Sequence, residues 1–191
     1  MSRALIVVDV QPTFCEGGAL PVEGGNACAQ RIAEFVAHNR DEYCFIVTTQ
    51  DWHIDPGAHF SDSPDFVDTW PPHGVADTDE ARLHPALAQL KADAAIKKGQ
   101  YAAAYSGFEG TDEAGLALAD LLRARGVTDV DVVGLAQSHC VCETALDAKK
   151  EGFEARILSD LTEPVSPETA VTATERLDAA GIDQIDSLLA F

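Results

Sequence analysis

Three residues whose side chains can take part in nucleophilic catalysis each follow a short apolar run. Asp9, Lys98 and Cys140 all lie just beyond such a run. Continuous apolar runs of this length are typical of strands in a parallel sheet that is buried on both faces. Ligands bind at the carboxyl ends of such strands. We therefore expect a carboxylate, a lysine and a cysteine to share one edge of a sheet.

A thiol, a carboxylate and an ammonium group can together cleave an amide. Cys140 falls at the predicted start of a helix, where backbone N–H groups and the helix dipole stabilise a thiolate, and Lys98 would lower the thiol pKa further. Asp9 can accept the thiol proton and pass it to a leaving amine. The N–H groups of Ala136 and Cys140 can hold the oxyanion. A structural cysteine at a helix start would show the same pattern.

Two neighbouring residues compete for these roles. Cys142 lies two positions beyond Cys140 and should point about 200° away around the helix, into packing. Lys97 points to the opposite face of its strand from Lys98. The chain has five cysteines, an odd number without the spacing of a small disulfide-bonded domain. We therefore expect free thiols, most of them in the core.

A long loop over about 51–80 contains a possible metal site. Asp51 and His53 are two residues apart, so they lie on the same side of an extended segment. His59 and His73 follow, so this loop holds three of the six histidines. One carboxylate and up to three imidazoles suit zinc, iron or manganese. Loop histidines are often plain surface residues, but a loop this long in a compact domain is usually functional.

Apolar runs and helical patterns alternate along the chain, which predicts an α/β fold with a parallel sheet covered by helices on both faces. Helical patterns follow the Gly24–Gly25 turn and extend over 112–124 and 140–151. Ser166 and Pro167 mark the start of a further helix. The strands are predicted over residues 5–8, 45–47, 94–96, 130–133, 155–158 and 182–185.

Composition excludes several classes of function. The formal net charge of −19 argues against binding to nucleic acids or to anionic membrane surfaces. No apolar stretch approaches the roughly 18 residues that a membrane span needs, and no signal peptide is apparent. We expect residues 1–191 to form a single cytoplasmic domain, with the 51–80 loop as an insertion, that acts on a small molecule as a monomer or small homo-oligomer.

Short segments along most of the chain match the motifs of one known family, in that family's order. They are residues 5–11, 14–18, 51–57, 59–60, 70–73, 98–99, 105–108, 132–136 and 139–141. On these segments the chain resembles the nicotinamidase/pyrazinamidase group of the isochorismatase-like cysteine hydrolases. The combination is specific, although no single segment would be.

This resemblance implies an amidohydrolase that converts nicotinamide to nicotinate and ammonia through a thioester on Cys140, in NAD salvage, and that also accepts pyrazinamide. It implies a three-layer α/β/α sandwich with a six-stranded, mainly parallel sheet in the order 3-2-1-4-5-6, and a cis peptide between Leu135 and Ala136. The implied catalytic triad is Asp9, Lys98 and Cys140, with an oxyanion hole at Ala136 and Cys140. One divalent metal ion would be bound by Asp51, His53, His59 and His73. The substrate ring would lie in a pocket formed by Phe14, Trp70 and Tyr105.

Two other functions fit the same residues. A sister hydrolase would act on another small amide, a carbamoyl compound or isochorismate, generally without the metal cluster. A binding module on the same fold would have an unreactive Cys140. The chain also departs from the family at Pro12 and Thr13, where an Asn-Asp pair is common, next to the ring-pocket residue Phe14.

Overall fold

The computed structural model describes residues 2–191 and is built around one six-stranded sheet. All five strand pairings are parallel, and the order β3-β2-β1-β4-β5-β6 confirms the predicted topology. The observed strands overlap all six predicted ones. They are β1 (Arg3–Val8), β2 (Phe45–Asp51), β3 (Ala94–Lys98), β4 (Asp129–Leu135), β5 (Glu154–Glu163) and β6 (Asp183–Ile185).

Helices cover both faces of the sheet and make the predicted three layers. Alternate residues of β1 show why its sequence is apolar throughout. Leu5 packs in one core cluster with Ile32, whereas Ile6 packs in the other with Leu122. None of the helices in the described part of the chain has the length and apolarity that crossing a membrane requires. The helix α1 (Gly25–Asn39) lies on one face, and α2 (Leu118–Ala124), α3 (Cys142–Lys150) and α4 (Pro167–Ala179) lie on the other.

The helix predicted over 112–124 is shorter than expected, because α2 begins only at Leu118. The Oδ1 atom of Asp112 accepts hydrogen bonds from the N–H groups of Ala114 and Leu116. Gly115 has a φ of 82°. Aspartate side chains that bind nearby backbone N–H groups compete with helix formation, so this segment is a turn.

The helix predicted over 140–151 is also different in form. A π-helical turn over Gln137–Val141 comes first, and α3 follows from Cys142. Cys140 therefore lies within the first helical turn after β4 and is not the first helical residue. The predicted start of α4 is confirmed, since the Ser166 hydroxyl accepts a hydrogen bond from the Thr169 N–H and Pro167 occupies the first position.

The strand order reverses between β1 and β4, which lie side by side in the middle of the sheet. Chain segments that leave such neighbouring strands in opposite directions open a crevice at their carboxyl ends. Asp9, Asp51, Lys98 and Ala136 all lie at this edge, at or just after the ends of β1 to β4. The topology therefore brings together the residues that end or follow four separate apolar runs.

Candidate active site

Asp9, Lys98 and Cys140 meet at the carboxyl edge of the sheet, as the sequence predicts. Lys98 Nζ lies 2.9 Å from Asp9 Oδ2 and 3.6 Å from Cys140 Sγ. All three side chains are buried. The ammonium group also donates to the carboxylate of Asp51, and to the Ala104 carbonyl at 3.2 Å. Asp51 is thus a direct neighbour of the triad; the sequence predicts its place at this edge of the sheet but not its contact with Lys98.

The backbone at Asp9 fixes the direction of its carboxylate. Asp9 has a φ of 48°, which turns the chain away from β1 immediately after Val8. Aspartate and asparagine tolerate this left-handed conformation better than most residues. The Thr49 hydroxyl donates to Asp9 Oδ1 at 2.6 Å. With Oδ1 held in this way, Oδ2 faces the Lys98 ammonium group.

The two buried carboxylates differ in their affinity for protons. Burial raises the pKa of Asp9; Lys98 opposes the rise and Asp51 adds to it. Burial acts in the same direction on Asp51, but Lys98 and the neighbouring His53 and His73 outweigh it and hold the pKa well below its usual range. Burial lowers the pKa of Lys98, but the two carboxylates raise it well above its usual value. Asp9 is therefore the more basic carboxylate of the pair.

The Cys140 thiol is not activated as the sequence indicates. Burial raises its pKa well above the ordinary value, Lys98 opposes this only in part, and Asp9 and Asp51 add to the rise. The sulfur and a carboxylate oxygen of each aspartate lie within 4.8 Å of one another. The prediction of a lowered thiol pKa is wrong because it counted the lysine and left out burial and the second carboxylate. A neutral thiol needs a proton acceptor close by.

Ala136 and Cys140 both line a cavity at the carboxyl edge of the sheet. The peptide bond between Leu135 and Ala136 is cis, as the resemblance implies. The Ala136 carbonyl accepts hydrogen bonds from the N–H groups of His139 and Val141, at 3.0 and 3.2 Å. These bonds tie the π-helical turn to the end of β4. The role of the Ala136 and Cys140 N–H groups as an oxyanion hole stays a prediction.

The four predicted metal ligands also lie together. Nitrogen atoms of His53, His59 and His73 lie within 4.8 Å of one another, and all three side chains are buried. Asp51 Oδ2 lies 3.5 Å from His53 Nε2 and 3.6 Å from His73 Nε2. The carboxylate of Asp51 therefore faces the histidines with one oxygen and Lys98 with the other.

The histidine cluster fits a divalent metal ion. His53 Nδ1 contacts the Gly99 carbonyl at 2.5 Å, and His73 Nδ1 contacts the Pro71 carbonyl at 2.8 Å. Such outer contacts orient metal-binding imidazoles. His53 Nε2 and His59 Nδ1 are buried without a hydrogen-bond partner in the described chain. Buried polar atoms of this kind need a partner. A zinc, iron or manganese ion suits three imidazoles and one carboxylate.

A cavity of about 60 Å³ opens between the Cys140 sulfur and the histidine cluster. The indole N–H of Trp70 donates to Tyr105 Oη at 2.9 Å, and the Phe14 ring lies 5.6 Å from the His73 ring. These aromatic side chains enclose a space suited to one small ring. The cavity is lined by Phe14, Leu20, Pro21, Val22, Asp51, His59, Trp70, His73, Ala104, Tyr105, Ala136, His139, Cys140 and Val165.

The sequence reasoning missed part of this cavity wall. The sequence assigns no role to His139, yet its ring lies 5.6 Å from the Trp70 ring. Its position beside Cys140 was the available signal. The departure at Pro12 and Thr13 is accommodated: Pro12–Phe14 forms a 3₁₀ turn, and Thr13 Oγ1 accepts a hydrogen bond from the Gly74 N–H at 3.1 Å. No sequence pattern marks the other unpredicted residues of the cavity wall, which are Leu20, Pro21, Val22, Ala104 and Val165.

The competing residues lie elsewhere. Cys142 is fully buried in the apolar core, as predicted. Lys97 Nζ lies 3.6 Å from the centre of the Trp52 ring. Cys15 and Cys28 are buried as well, and no cysteine in the described chain forms a disulfide. Cys140 is thus the cysteine that faces the cavity.

Comparison with known proteins identifies the family. The sequence model described as "Isochorismatase domain" matches residues 3–187. The chain belongs to the isochorismatase family. This isochorismatase-family chain is 50% identical to the nicotinamidase/pyrazinamidase of Mycobacterium tuberculosis, over 97% of its own length and 99% of the relative's.

Two similar solved structures share the fold over nearly the whole chain. One is the pyrazinamidase of Pyrococcus horikoshii in complex with zinc, with a TM-score of 0.84 and 36% identity, covering 97% of this chain and 99% of that one. The other is PnC1 from L. infantum in complex with nicotinate, with a TM-score of 0.84 and 34% identity, covering 97% and 93%. The family and fold implied by the sequence motifs are confirmed.

Proposed function

We propose that this chain hydrolyses nicotinamide to nicotinate and ammonia, as a step of NAD salvage, and pyrazinamide to pyrazinoate and ammonia. One observation carries the proposal. One small cavity is lined both by Cys140, which has Asp9 and Lys98 beside it, and by Asp51, His59 and His73 of the proposed metal site. A carboxamide attached to a nitrogen heterocycle offers a carbon for the sulfur and a ring nitrogen for the metal ion.

The first half of the reaction forms a thioester. Asp9 accepts the proton of the Cys140 thiol while the sulfur attacks the carboxamide carbon. The negative oxygen that results faces the N–H groups of Ala136 and Cys140. Asp9 then gives the proton to the amide nitrogen, the C–N bond breaks, and ammonia leaves. Lys98 stays protonated throughout and holds the Asp9 carboxylate in place at 2.9 Å.

The second half releases the acid. Asp9 accepts a proton from water, and the resulting hydroxide attacks the thioester carbon. The C–S bond breaks, and the sulfur leaves as the Cys140 thiol after taking back the proton from Asp9. Because the pKa of the Cys140 thiol lies well above its ordinary value, the released sulfur returns to its protonated resting form. The same carboxylate thus serves as base and acid in both halves.

Asp51, His53, His59 and His73 are the proposed ligands of one divalent ion, which when bound supplies a Lewis acid for the ring nitrogen. Burial and the neighbouring histidines lower the pKa of His59 to about 4. The His59 imidazole is therefore neutral near pH 7, as metal binding requires. Phe14, Trp70 and Tyr105 would hold the ring by its faces and edges.

The relatives support the proposal. The M. tuberculosis relative is named for both amides, and the two solved structures contain zinc and nicotinate. The proposal treats residues 1–191 as one hydrolase domain, with the loop over about 51–80 supplying metal ligands. That division, the cytoplasmic location, the lack of nucleic-acid or membrane partners, and the monomeric or small homo-oligomeric state stay predictions.

Ammonia release from nicotinamide tests the proposal directly. The purified protein should release ammonia, lose activity when its metal is removed, and regain it with zinc, iron or manganese. Cys140→Ala should abolish the activity, whereas Cys44→Ala, at a half-buried cysteine away from the cavity, should leave it intact. Wild-type rates in Cys140→Ala would refute the mechanism. Full activity without bound metal and in His53→Ala would favour a sister hydrolase.

A further inference from the structure

Asp51 lies at the end of β2, where β1 no longer provides a backbone partner on its side. The residues of β1 pair with β2 as far as Val7 with Thr48, and the Asp9 N–H then donates to the Thr49 carbonyl at 3.1 Å. Beyond this bond the chain turns away from β2 at Asp9, where φ is 48°. Two residues further along β2, the N–H and C=O of Asp51 still point toward the side that β1 has left.

The side-chain amide of Gln11 takes the place of the missing strand. Gln11 Oε1 accepts a hydrogen bond from the Asp51 N–H at 2.9 Å, and Gln11 Nε2 donates to the Asp51 carbonyl at 3.0 Å. A primary amide carries the same donor and acceptor groups as a peptide unit. Gln11 therefore adds one further rung to the ladder between β1 and β2. Its second N–H donates to the Ala81 carbonyl at 2.8 Å, and the side chain is fully buried.

The residue that Gln11 holds has two partners that depend on its orientation. One carboxylate oxygen of Asp51 accepts from Lys98, and the other faces His53 and His73 at 3.5 and 3.6 Å. A rotation of the Asp51 backbone would move both oxygens at once. A group that fixes this backbone on both its N–H and its C=O therefore sets the geometry at the lysine and at the histidines together.

We propose that Gln11 is a positioning residue for Asp51, and that its amide orients the Asp51 carboxylate between Lys98 and the metal-binding histidines. The inference rests on the proposed function, since it assumes that the histidine cluster binds a metal ion. Gln11 itself does not line the cavity. Its effect on the site would therefore be exerted through Asp51.

The decisive comparison is Gln11→Met against Gln50→Met. Both residues donate from Nε2 to the Ala81 carbonyl, Gln50 at 2.7 Å, and both are buried. Only Gln11 also binds the backbone of Asp51. Methionine keeps the length and volume of glutamine and removes the amide. The two variants therefore distinguish the loss of the hydrogen bonds to Asp51 from the loss of the hydrogen bond to Ala81.

Zinc affinity is measured by competition with a chromophoric chelator, and site geometry by the visible absorption spectrum of the cobalt-loaded protein. Gln11→Met should bind zinc about 10- to 100-fold more weakly, the usual cost of removing a contact that orients a metal ligand. Its cobalt spectrum should change. Gln50→Met should match wild type in both. Wild-type zinc affinity and an unchanged cobalt spectrum in Gln11→Met would overturn the inference, as would equal losses in the two variants.

A wild-type protein that binds no zinc would refute the metal site, and the inference with it. A wild type that binds zinc and a Gln11→Met that binds it equally well would refute only the inference. If Gln11→Met does not fold, amide NMR of the wild type decides. The side-chain N–H signals of Gln11 should shift during zinc titration more than those of Gln50. Gln11 signals that stay unmoved would contradict the proposed role.

Discussion

Replacing Asp9 with asparagine tests whether this carboxylate is the proton acceptor for the Cys140 thiol. Asparagine suits the site because it tolerates the left-handed backbone, here with a φ of 48°. Its side-chain oxygen can still accept the hydrogen bond that the Thr49 hydroxyl donates at 2.6 Å. Asp9→Asn should therefore keep the backbone and the contact with Thr49, and remove the negative charge and the basic oxygen that faces Lys98.

The expected fall in kcat depends on which other base remains beside the Cys140 sulfur. Asp51 is the other carboxylate within 4.8 Å of Cys140 Sγ among the described residues. It is a poor substitute base, because Lys98 and the histidines hold its pKa well below its usual range. General bases contribute about 10²- to 10⁴-fold. We expect a fall in kcat of about 10³-fold, equivalent to about 4 kcal/mol of transition-state stabilisation.

Steady-state ammonia release from nicotinamide measures this effect. The KM should change little, because Asp9 does not line the cavity. Metal content measured on the same samples should equal that of wild type. Alkylation of Cys140 by iodoacetamide, followed by mass spectrometry, should slow in parallel with kcat. The reasoning would fail if Asp9→Asn kept kcat within about tenfold of wild type, below the range for a lost general base.

Two further substitutions test the supporting structure. An Ala Cβ at position 99 would lie 2.5 Å from His53 Cε1, whereas position 126 has a similar φ, +67° against +71°, and nothing within 4 Å. Gly126→Ala should lose about 1 kcal/mol of unfolding free energy through left-handed strain. Gly99→Ala should lose more, because its Cβ would also displace the His53 ring. Only Gly99→Ala should weaken zinc binding in a chelator competition; equal zinc affinities would contradict this. Asp131 is fully buried, with Arg3 Nη1 at 2.6 Å, Arg156 Nε at 2.7 Å and Tyr43 Oη at 2.7 Å. Asp131→Asn should lower the free energy of unfolding in urea by about 3 kcal/mol, because two arginines lose their shared carboxylate, and should leave kcat unchanged; a normal urea midpoint would refute it.

The strands and the convergence of Asp9, Lys98 and Cys140 could be predicted because they depend on local signals, whereas the strand order was implied only by the family resemblance. Apolar runs that end in a polar residue mark strand ends, and a parallel sheet gathers those ends at one edge. Helix starts were less predictable. The Asp112 side chain and Gly115 shortened α2, and the π-helical turn moved the start of the helical segment to Gln137.

The Asp131 cluster could have been found from the sequence and was not. A charged residue inside the apolar run over 130–133 must be buried, and a buried charge needs a partner. The partners, Arg3 and Arg156, come from β1 and β5, whose positions on either side of β4 follow from the strand order. The Cys140 pKa could not be found in this way, because its sign depends on how much water the fold excludes.

Asp51 shows that the two chemical centres could be related only in part from the sequence, which places Asp51 at the same sheet edge as Lys98 but does not predict their contact. In the sequence it belongs to the histidine loop, 47 residues before Lys98. The parallel register of β2 and β3 pairs Asp51 directly with Lys98, so one carboxylate contacts the ammonium group and the histidines. A metal ion on that carboxylate would draw negative charge away from Lys98, which would leave Lys98 freer to stabilise charge on Asp9 and Cys140. The nucleophile and the proposed metal site are therefore electrostatically coupled through Asp51.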